Sequence, residues 1–262
     1  MGGSRIAAVV TAAGSSARMA EGRPLSAVKA VKKEYRVLPG CADADGKPLT
    51  VLGAAVSAFA AVPAIGQIVV TVPPDREDAE DEARAVLPST LCSRVLFVRG
   101  GENRRVSVLN ALRSLRASGC RYDFVLIHDG ARPWVSRAVI DAVIGAAVIH
   151  RAAVPVLPSI ETPKVLGGPF DGAGAAAGDG QVPGYGFITR HPRRETVVFA
   201  QTPQGFAFGP LLEAHEKAAK SGAEFTDDAE VWAFAWPDTK VAAVPGEAAN
   251  RKITFPEDLP QC

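Results

Sequence analysis

The sequence predicts an α/β protein: a Rossmann-like, mostly parallel sheet flanked by helices, with a projecting two-stranded β-arm. Three observations carry that expectation. Short runs rich in β-branched residues recur between Ile6 and Val156, and each is followed by a longer stretch with apolar residues at helical spacing. The runs are continuously apolar rather than alternating, which marks strands covered on both faces.

In chain order, strands are expected at Ile6 to Thr11, Gln67 to Val72, Arg94 to Val98, Phe124 to His128 and Ala152 to Val156. Between them, Leu49 to Val62, Arg76 to Leu87, Arg104 to Ser118 and Ser136 to His150 have helical spacing. Past Val156 the alternation lapses. Ile160 to Leu166 and Gly186 to Ala200 read as two strands enclosing residues 167–184, whose seven glycines suggest a mobile tip on the arm. Helices at about Pro210 to Ser221 and Asp227 to Ala235, then a strand at Lys240 to Val244, complete the pattern. Neither an internal repeat nor a linker is visible, so residues 1–262 read as one domain that includes an arm at about 160–200.

The length of 262 residues allows a sizeable core, and 47% apolar with 22% charged residues suits a folded rather than a disordered chain. Lys plus Arg number 29 against 28 Asp plus Glu, a net charge of +1. That balance gives no chain-wide grip on nucleic acid or an anionic membrane. Cys41, Cys92, Cys120 and Cys262 are scattered, without a CxxC pair or a nearby His, which argues against a zinc site or disulfide scaffold. The first apolar stretch is short, with Gly14 and Arg18 close behind it, so the expectation is a cytoplasmic protein without a signal peptide. Gly, Pro or charge interrupts every apolar run before the roughly 18 residues that a spanning helix needs.

Ligands of open α/β sheets sit beyond the carboxyl ends of the strands, which directs attention to Ala12 to Tyr35, Arg99 to Ser107 and Asp129 to Pro133. In Ala12-Ala13-Gly14-Ser15-Ser16-Ala17-Arg18-Met19, small residues let the main chain approach a ligand and consecutive N–H groups can cradle an anion. The bland reading is a turn. Neither standard phosphate motif is present: no GxGxxG follows the strand, and Gly40 to Pro48 has one residue too many before Gly46-Lys47, then Pro where a P-loop needs Ser or Thr. Lys29, Lys32, Lys33 and Arg36 end the same long loop, where at least one lysine falls near the anion site and the others form a solvated face.

His128-Asp129-Gly130-Ala131-Arg132-Pro133 follows the fourth strand. Asp129 can hold Mg²⁺ or a ribose hydroxyl and Arg132 a phosphate; the alternative is Asp129 as a helix cap paired with Arg132. His128 reads as packing. Thr162, Lys164, Arg193, Arg194, Thr202, Asn250, Lys252 and Thr254 add hydroxyls, an amide and cations late in the chain. Nothing resembles a Ser-His-Asp or Cys-His nucleophile among His128, His150, His191 and His215. The residues therefore describe phosphate-binding chemistry without covalent catalysis, which fits nucleotidyl transfer.

Together AAGSSARM, KKEY, GGENRRVSVLNAL, HDGARP, AQTPQGF, TDDAEV and PGEAANRKITFPEDL resemble the 2-C-methyl-D-erythritol 4-phosphate cytidylyltransferase family, in the family's order and over nearly the whole chain. The resemblance implies a single nucleotidyltransferase domain in which the acceptor's phosphate attacks the α-phosphorus of CTP and pyrophosphate leaves, in non-mevalonate isoprenoid biosynthesis. It implies catalytic cations at Arg18, Lys33, Arg194 and Lys252. It also implies a nucleotide cradle from Ala12, Ala13, Gly14, Ser15 and Ser16, cytosine recognition at Gly101, Glu102 and Ser107, and Asp129 near the ribose and the acceptor. Asp129, Arg132, Thr162, Arg194, Thr202 and Lys252 match acceptor positions, Mg²⁺ would bridge the CTP phosphates, and the arm matches the family's dimer arm. Lys33 is preferred within the cluster because Lys33-Glu34-Tyr35 fits the motif; the loop from Met19 to Lys33 is longer than usual, the arm carries a Gly-rich insertion, and Pro163 follows the substrate threonine. Two other functions stay open: a ribitol-5-phosphate cytidylyltransferase, and a CTP-binding regulator without turnover.

Overall fold

The computed structural model describes residues 5–14, 32–43, 46–168 and 186–259. They fall into two compact units, one of residues 156–200 and one of the remainder.

In the larger unit the strands are β1 (Ile6–Thr11), β2 (Val37–Ala42), β3 (Pro48–Thr50), β4 (Ile65–Val72), β5 (Val95–Arg99), β6 (Phe124–Asp129) and β7 (Ala152–Pro158), whose last residues pass into the smaller unit. The helices α1 (Val51–Ala60), α2 (Ala79–Ala85), α3 (Arg104–Ala117) and α4 (Arg137–His150) alternate with them. The central sheet runs β7-β11-β6-β1-β4-β5, where β11 is Gln204–Ala207, and β12 (Ala242–Pro245) pairs with β7. Pairings β4–β5, β1–β4 and β1–β6 are parallel, whereas β11 is antiparallel to β6 and β7. Helices α5 (Phe208–Ser221) and α6 (Asp228–Ala235) follow β11.

The continuous apolar runs have their expected cause. Along β1, Ile6, Ala8 and Val10 enter one core with Leu52, Val56, Phe59, Ile140 and Val143; Ala7 and Val9 enter the opposite core with Leu112, Leu115, Leu211 and Trp232. Helices α1, α2 and α4 therefore cover one face, and α3, α5 and α6 the other. Caps set the helix starts: Thr50, Asn103, Ser136 and Asp227 accept from the N–H groups of Gly53, Val106, Val139 and Glu230. Gly222 terminates α5 in the left-handed region at φ 69°. Among the described residues no helix is long and apolar enough to cross a membrane.

Two elements depart from the sequence expectation. Strands β2 and β3 form a small antiparallel pair whose Gly40 and Gly46 have positive φ, so the glycines that imitate a P-loop serve a bulged hairpin. Strand β11 escapes sequence reasoning because Gln204-Gly205-Phe206-Ala207 has no β-branched residue; it exists because Gly205 lets Val143 and Leu126 press against the backbone, where an added Cβ would lie 2.7 Å and 3.0 Å from them.

In the smaller unit the expected long strands are short. Val165–Leu166 (β8) pairs antiparallel with Ile188–Arg190 (β9), and Val198–Ala200 (β10) pairs with Val156, Leu157 and Pro158 of β7. Pro163 and Pro192 bracket the β8–β9 pair and have no N–H to give a ladder, which stops either strand from extending. Most of the Gly-rich insertion lies outside the described residues.

Candidate active site

A cavity of about 920 Å³ opens at the carboxyl ends of β1, β4 and β6 in the larger unit. The strand order reverses direction around β1, as a ligand crevice in such a sheet requires. Its wall includes Ala13, Gly14, Lys33, Gly101, Glu102 and Ser107, with Asp129 and Lys252. Lys32, Arg76 and Arg104 add three more cations. The sequence reading expects the first eight of these together. Ser15, Ser16 and Arg18 lie outside the described residues.

Asp129 is the hub. Its buried carboxylate accepts from Arg104 Nε at 3.2 Å through Oδ1, and faces Lys252 Nζ at 3.0 Å and Arg132 Nε at 3.5 Å through Oδ2. Burial alone would raise its pKa, but Arg104, then Lys252 and Arg132, outweigh it and hold the carboxyl well below the usual range. The helix-cap alternative fails, because Ser136 caps α4.

Behind Asp129 lies a set of fixed polar groups. The Asp129 N–H donates to Thr202 Oγ1 at 3.1 Å, and Thr202 Oγ1 stands 3.0 Å from His128 Nδ1. His128 Nε2 is 3.0 Å from the Arg132 carbonyl, which can only accept. The neutral ring therefore carries its proton on Nε2, and Thr202 donates to Nδ1. Burial lowers the His128 pKa to about 4. The ring also packs on Phe59, with centroids 4.8 Å apart, so packing is one of two roles. Arg132 and Thr202 thus stand behind the carboxylate; Arg132 Nη1 donates to Asn250 O at 2.7 Å.

The lysine loop and the late segment meet at the wall. Lys32 Nζ donates to Ala12 O, and its pKa is lowered by burial. Lys33 Nζ donates to Ile253 O at 2.9 Å, while the Ile253 N–H donates to Ala131 O. Across the cavity the Gly101 N–H donates to Ser107 Oγ at 3.0 Å, and Ser107 Oγ donates to Asn103 O at 2.9 Å. Ser107 therefore shapes the loop that presents Gly101 and Glu102. A Cβ on Gly101 would lie 2.1 Å from Val106 Cγ1, so this close approach requires glycine.

Thr162 and Arg194 belong to the smaller unit, where both are exposed and Arg194 Nη1 donates to Ile160 O at 3.4 Å. Arg104 and its second partner Asp228 escape sequence reasoning. Their motifs, GGENRR and TDDA, are visible, but neither spacing says that the two would meet.

The family model described as "IspD: 2-C-methyl-D-erythritol 4-phosphate cytidylyltransferase" matches residues 6–262. A bifunctional enzyme IspD/IspF of Bradyrhizobium sp. (strain ORS 278) is 38% identical over 256 residues, which is 97% of this chain and 55% of that protein. The corresponding protein of Desulforudis audaxviator is 38% identical over 96% of this chain and 54% of its own length. The chain thus spans about half the length of these curated relatives. Among solved structures, the 2-C-methyl-D-erythritol 4-phosphate cytidylyltransferase of Thermus thermophilus superimposes with a TM-score of 0.67 at 30% identity, covering 97% of this chain and 95% of that one. The 4-diphosphocytidyl-2C-methyl-D-erythritol synthase of Anaerococcus prevotii gives a TM-score of 0.71 at 26% identity, covering 98% and 93%.

Proposed function

Because the chain belongs to the 2-C-methyl-D-erythritol 4-phosphate cytidylyltransferase family, we propose that it joins CTP to 2-C-methyl-D-erythritol 4-phosphate. The products are 4-diphosphocytidyl-2-C-methyl-D-erythritol and pyrophosphate. The observation that carries this reading is the cation-lined cavity at the ends of β1 and β6, large enough for a nucleotide beside a small polyol phosphate.

In this reading an oxygen of the acceptor phosphate attacks the α-phosphorus of CTP while the bond to the β-phosphate breaks. Charge builds on the phosphoryl oxygens. Lys33, on the wall, and Arg18 stabilise that charge, and the main chain from Ala12 to Ser16 cradles the triphosphate. Gly101 and Glu102 read the cytosine edge, held in shape by Ser107. Lys252, anchored on Asp129, with Thr202 and Arg132 behind that carboxylate, serves the acceptor, a phosphate dianion that must be brought toward an anionic partner. For Thr162 and Arg194 an acceptor role is proposed on the family resemblance alone.

Mg²⁺ belongs to the proposal as a Lewis acid on the triphosphate. Asp129 is a poor ligand for it, since both oxygens are already engaged by guanidinium and ammonium groups. Among the described residues no three His, Cys, Asp or Glu side chains converge. A homodimer is also proposed, through an arm at about residues 160–200 of one nucleotidyltransferase domain, acting in the cytoplasm. Supporting it, Ile160, Val198 and Phe199 of that segment are 84%, 50% and 57% exposed, a cluster of apolar surface of the kind that marks an interaction site.

The test is pyrophosphate release from CTP with each polyol phosphate and Mg²⁺. Turnover with methylerythritol phosphate well above ribitol 5-phosphate is expected. The reverse preference would reassign the acceptor, and binding without release would favour the regulator reading.

A further inference from the structure

Arg104 opens α3 directly after its capping residue Asn103, within the loop that carries Gly101 and Glu102. Its guanidinium spans two carboxylates: Nε to Asp129 Oδ1 at 3.2 Å, and Nη1 to Asp228 Oδ2 at 2.7 Å. Asp228 is fully buried and its other oxygen faces His215 Nε2 at 3.1 Å; His215 is fully buried as well. Five ionisable side chains, the first four on four different elements, therefore form one chain of contacts that runs from His215 to Lys252.

We infer that Arg104 is a positioning residue of the proposed transfer site, steadied from behind by Asp228 and His215, and that it aims the Asp129 carboxylate at Lys252. This rests on the functional reading above.

One general principle and two observations favour positioning over a purely stabilising role. A buried ion pair adds little stability compared with an apolar replacement, so stability alone gives no reason for this one. Asp228 does not cap α6; Asp227 does, leaving both Asp228 oxygens for Arg104 and His215. The start of α6 is itself fastened to the sheet, because Gln204 of β11 donates to Asp227 Oδ2 and accepts from the Ala229 N–H. Asp228 is thereby a fixed post beside the end of β6. Only a planar fork can hold that post and Asp129 together; an ammonium is a point charge on a flexible stem.

Five variants and two readouts, turnover and a carboxyl resonance, test this. Asp228→Asn and His215→Leu lie out of reach of the cavity, whereas His215→Gln keeps a donor. In Asp228→Asn and His215→Leu, kcat is expected to fall about tenfold to a hundredfold, the scale of a small misplacement of reacting groups, with the KM for CTP nearly unchanged. His215→Gln should recover most of the loss. Arg104→Lys, which keeps the charge, should be as impaired as Arg104→Gln. Near-normal kcat in folded Asp228→Asn or His215→Leu, or a rise confined to the KM for CTP, would overturn the inference. A thermal midpoint identifies any variant that fails to fold, and Arg104→Lys then decides. The carbon-13 resonance of the Asp129 carboxyl gives an answer independent of the reaction. It should move in Asp228→Asn even if the wild type releases no pyrophosphate, a result that would sink the functional reading alone; an unmoved resonance rejects the contact chain.

Discussion

Acidification should destabilise the protein through His128 before it reaches the carboxylates. The ring is fully buried, its Nε2–H donates to the Arg132 carbonyl, and Thr202 donates to Nδ1; a second ring proton would point at a hydroxyl already donating. The ordinary value of 6.5 falls to about 4 in the fold. Between those values the unfolded chain binds a proton that the folded chain refuses, so stability rises with pH across the window and is lost as pH falls through it. At about 1.36 kcal/mol per pH unit, those 2.5 units amount to roughly 3 kcal/mol, present in full above pH 6.5 and gone near pH 4. The pKa values of Asp129 and Asp228 are held below the ordinary carboxylate value, by Arg104 chiefly against the effect of burial, so their contribution fades only at lower pH. Urea unfolding at pH 7, 5.5 and 4.5 reads the effect. The control is His128→Gln, which cannot take up the charge, and the wild-type curve should fall more steeply by most of that amount. Parallel curves for the two proteins would refute the argument.

Gly205→Ala should cost about 1–3 kcal/mol in urea unfolding, because the new methyl meets Val143 Cγ1 at 2.7 Å inside a packed core; a midpoint within error of wild type would mean that β11 shifts freely. Lys33→Ala should lower kcat far more than it raises the KM for CTP, since its charge acts chiefly on the transition state. If Lys32→Ala is the crippling change and Lys33→Ala stays active, the role passes to Lys32. CTP should be used in strong preference to UTP, as a site matched to one base edge leaves polar groups unpaired with another, and comparable turnover would remove the cytosine assignment from Gly101 and Glu102.

The parallel strands are legible because the chemistry that makes them is local: β1 and β4 are buried on both faces and therefore apolar at nearly every position. Helix starts are legible through Asn103 and Ser136 for the same reason. Strand β11 is not, since what makes it a strand is the fit between Gly205 and two other elements. The site divides in the same way. Gly14, Gly101 and Asp129 stand just past strands, where topology alone draws attention. Arg104 and Asp228 are 124 residues apart, and no local pattern tells that they will share a hydrogen bond. His128 lies between these cases: its burial can be read from its place on the strand, but the tautomer that holds Thr202 depends on atoms far along the chain.

The pairing of Lys33 with Ile253, 220 residues apart, and of Arg132 with Asn250, 118 apart, bears on how the molecule is assembled as it is made. Strands β1, β4, β5 and β6, half of the sheet, are complete by residue 129 and could collapse early, yet Asp129 would then be buried without Lys252. Until residues 250–254 have been synthesised and docked, the nascent protein holds an acid short of one of its counterions beside a cavity missing part of its wall. A segment made well after these strands thus converts a folded scaffold into a charged receptacle, and a ribosome stalled before residue 250 would leave a core without a usable site.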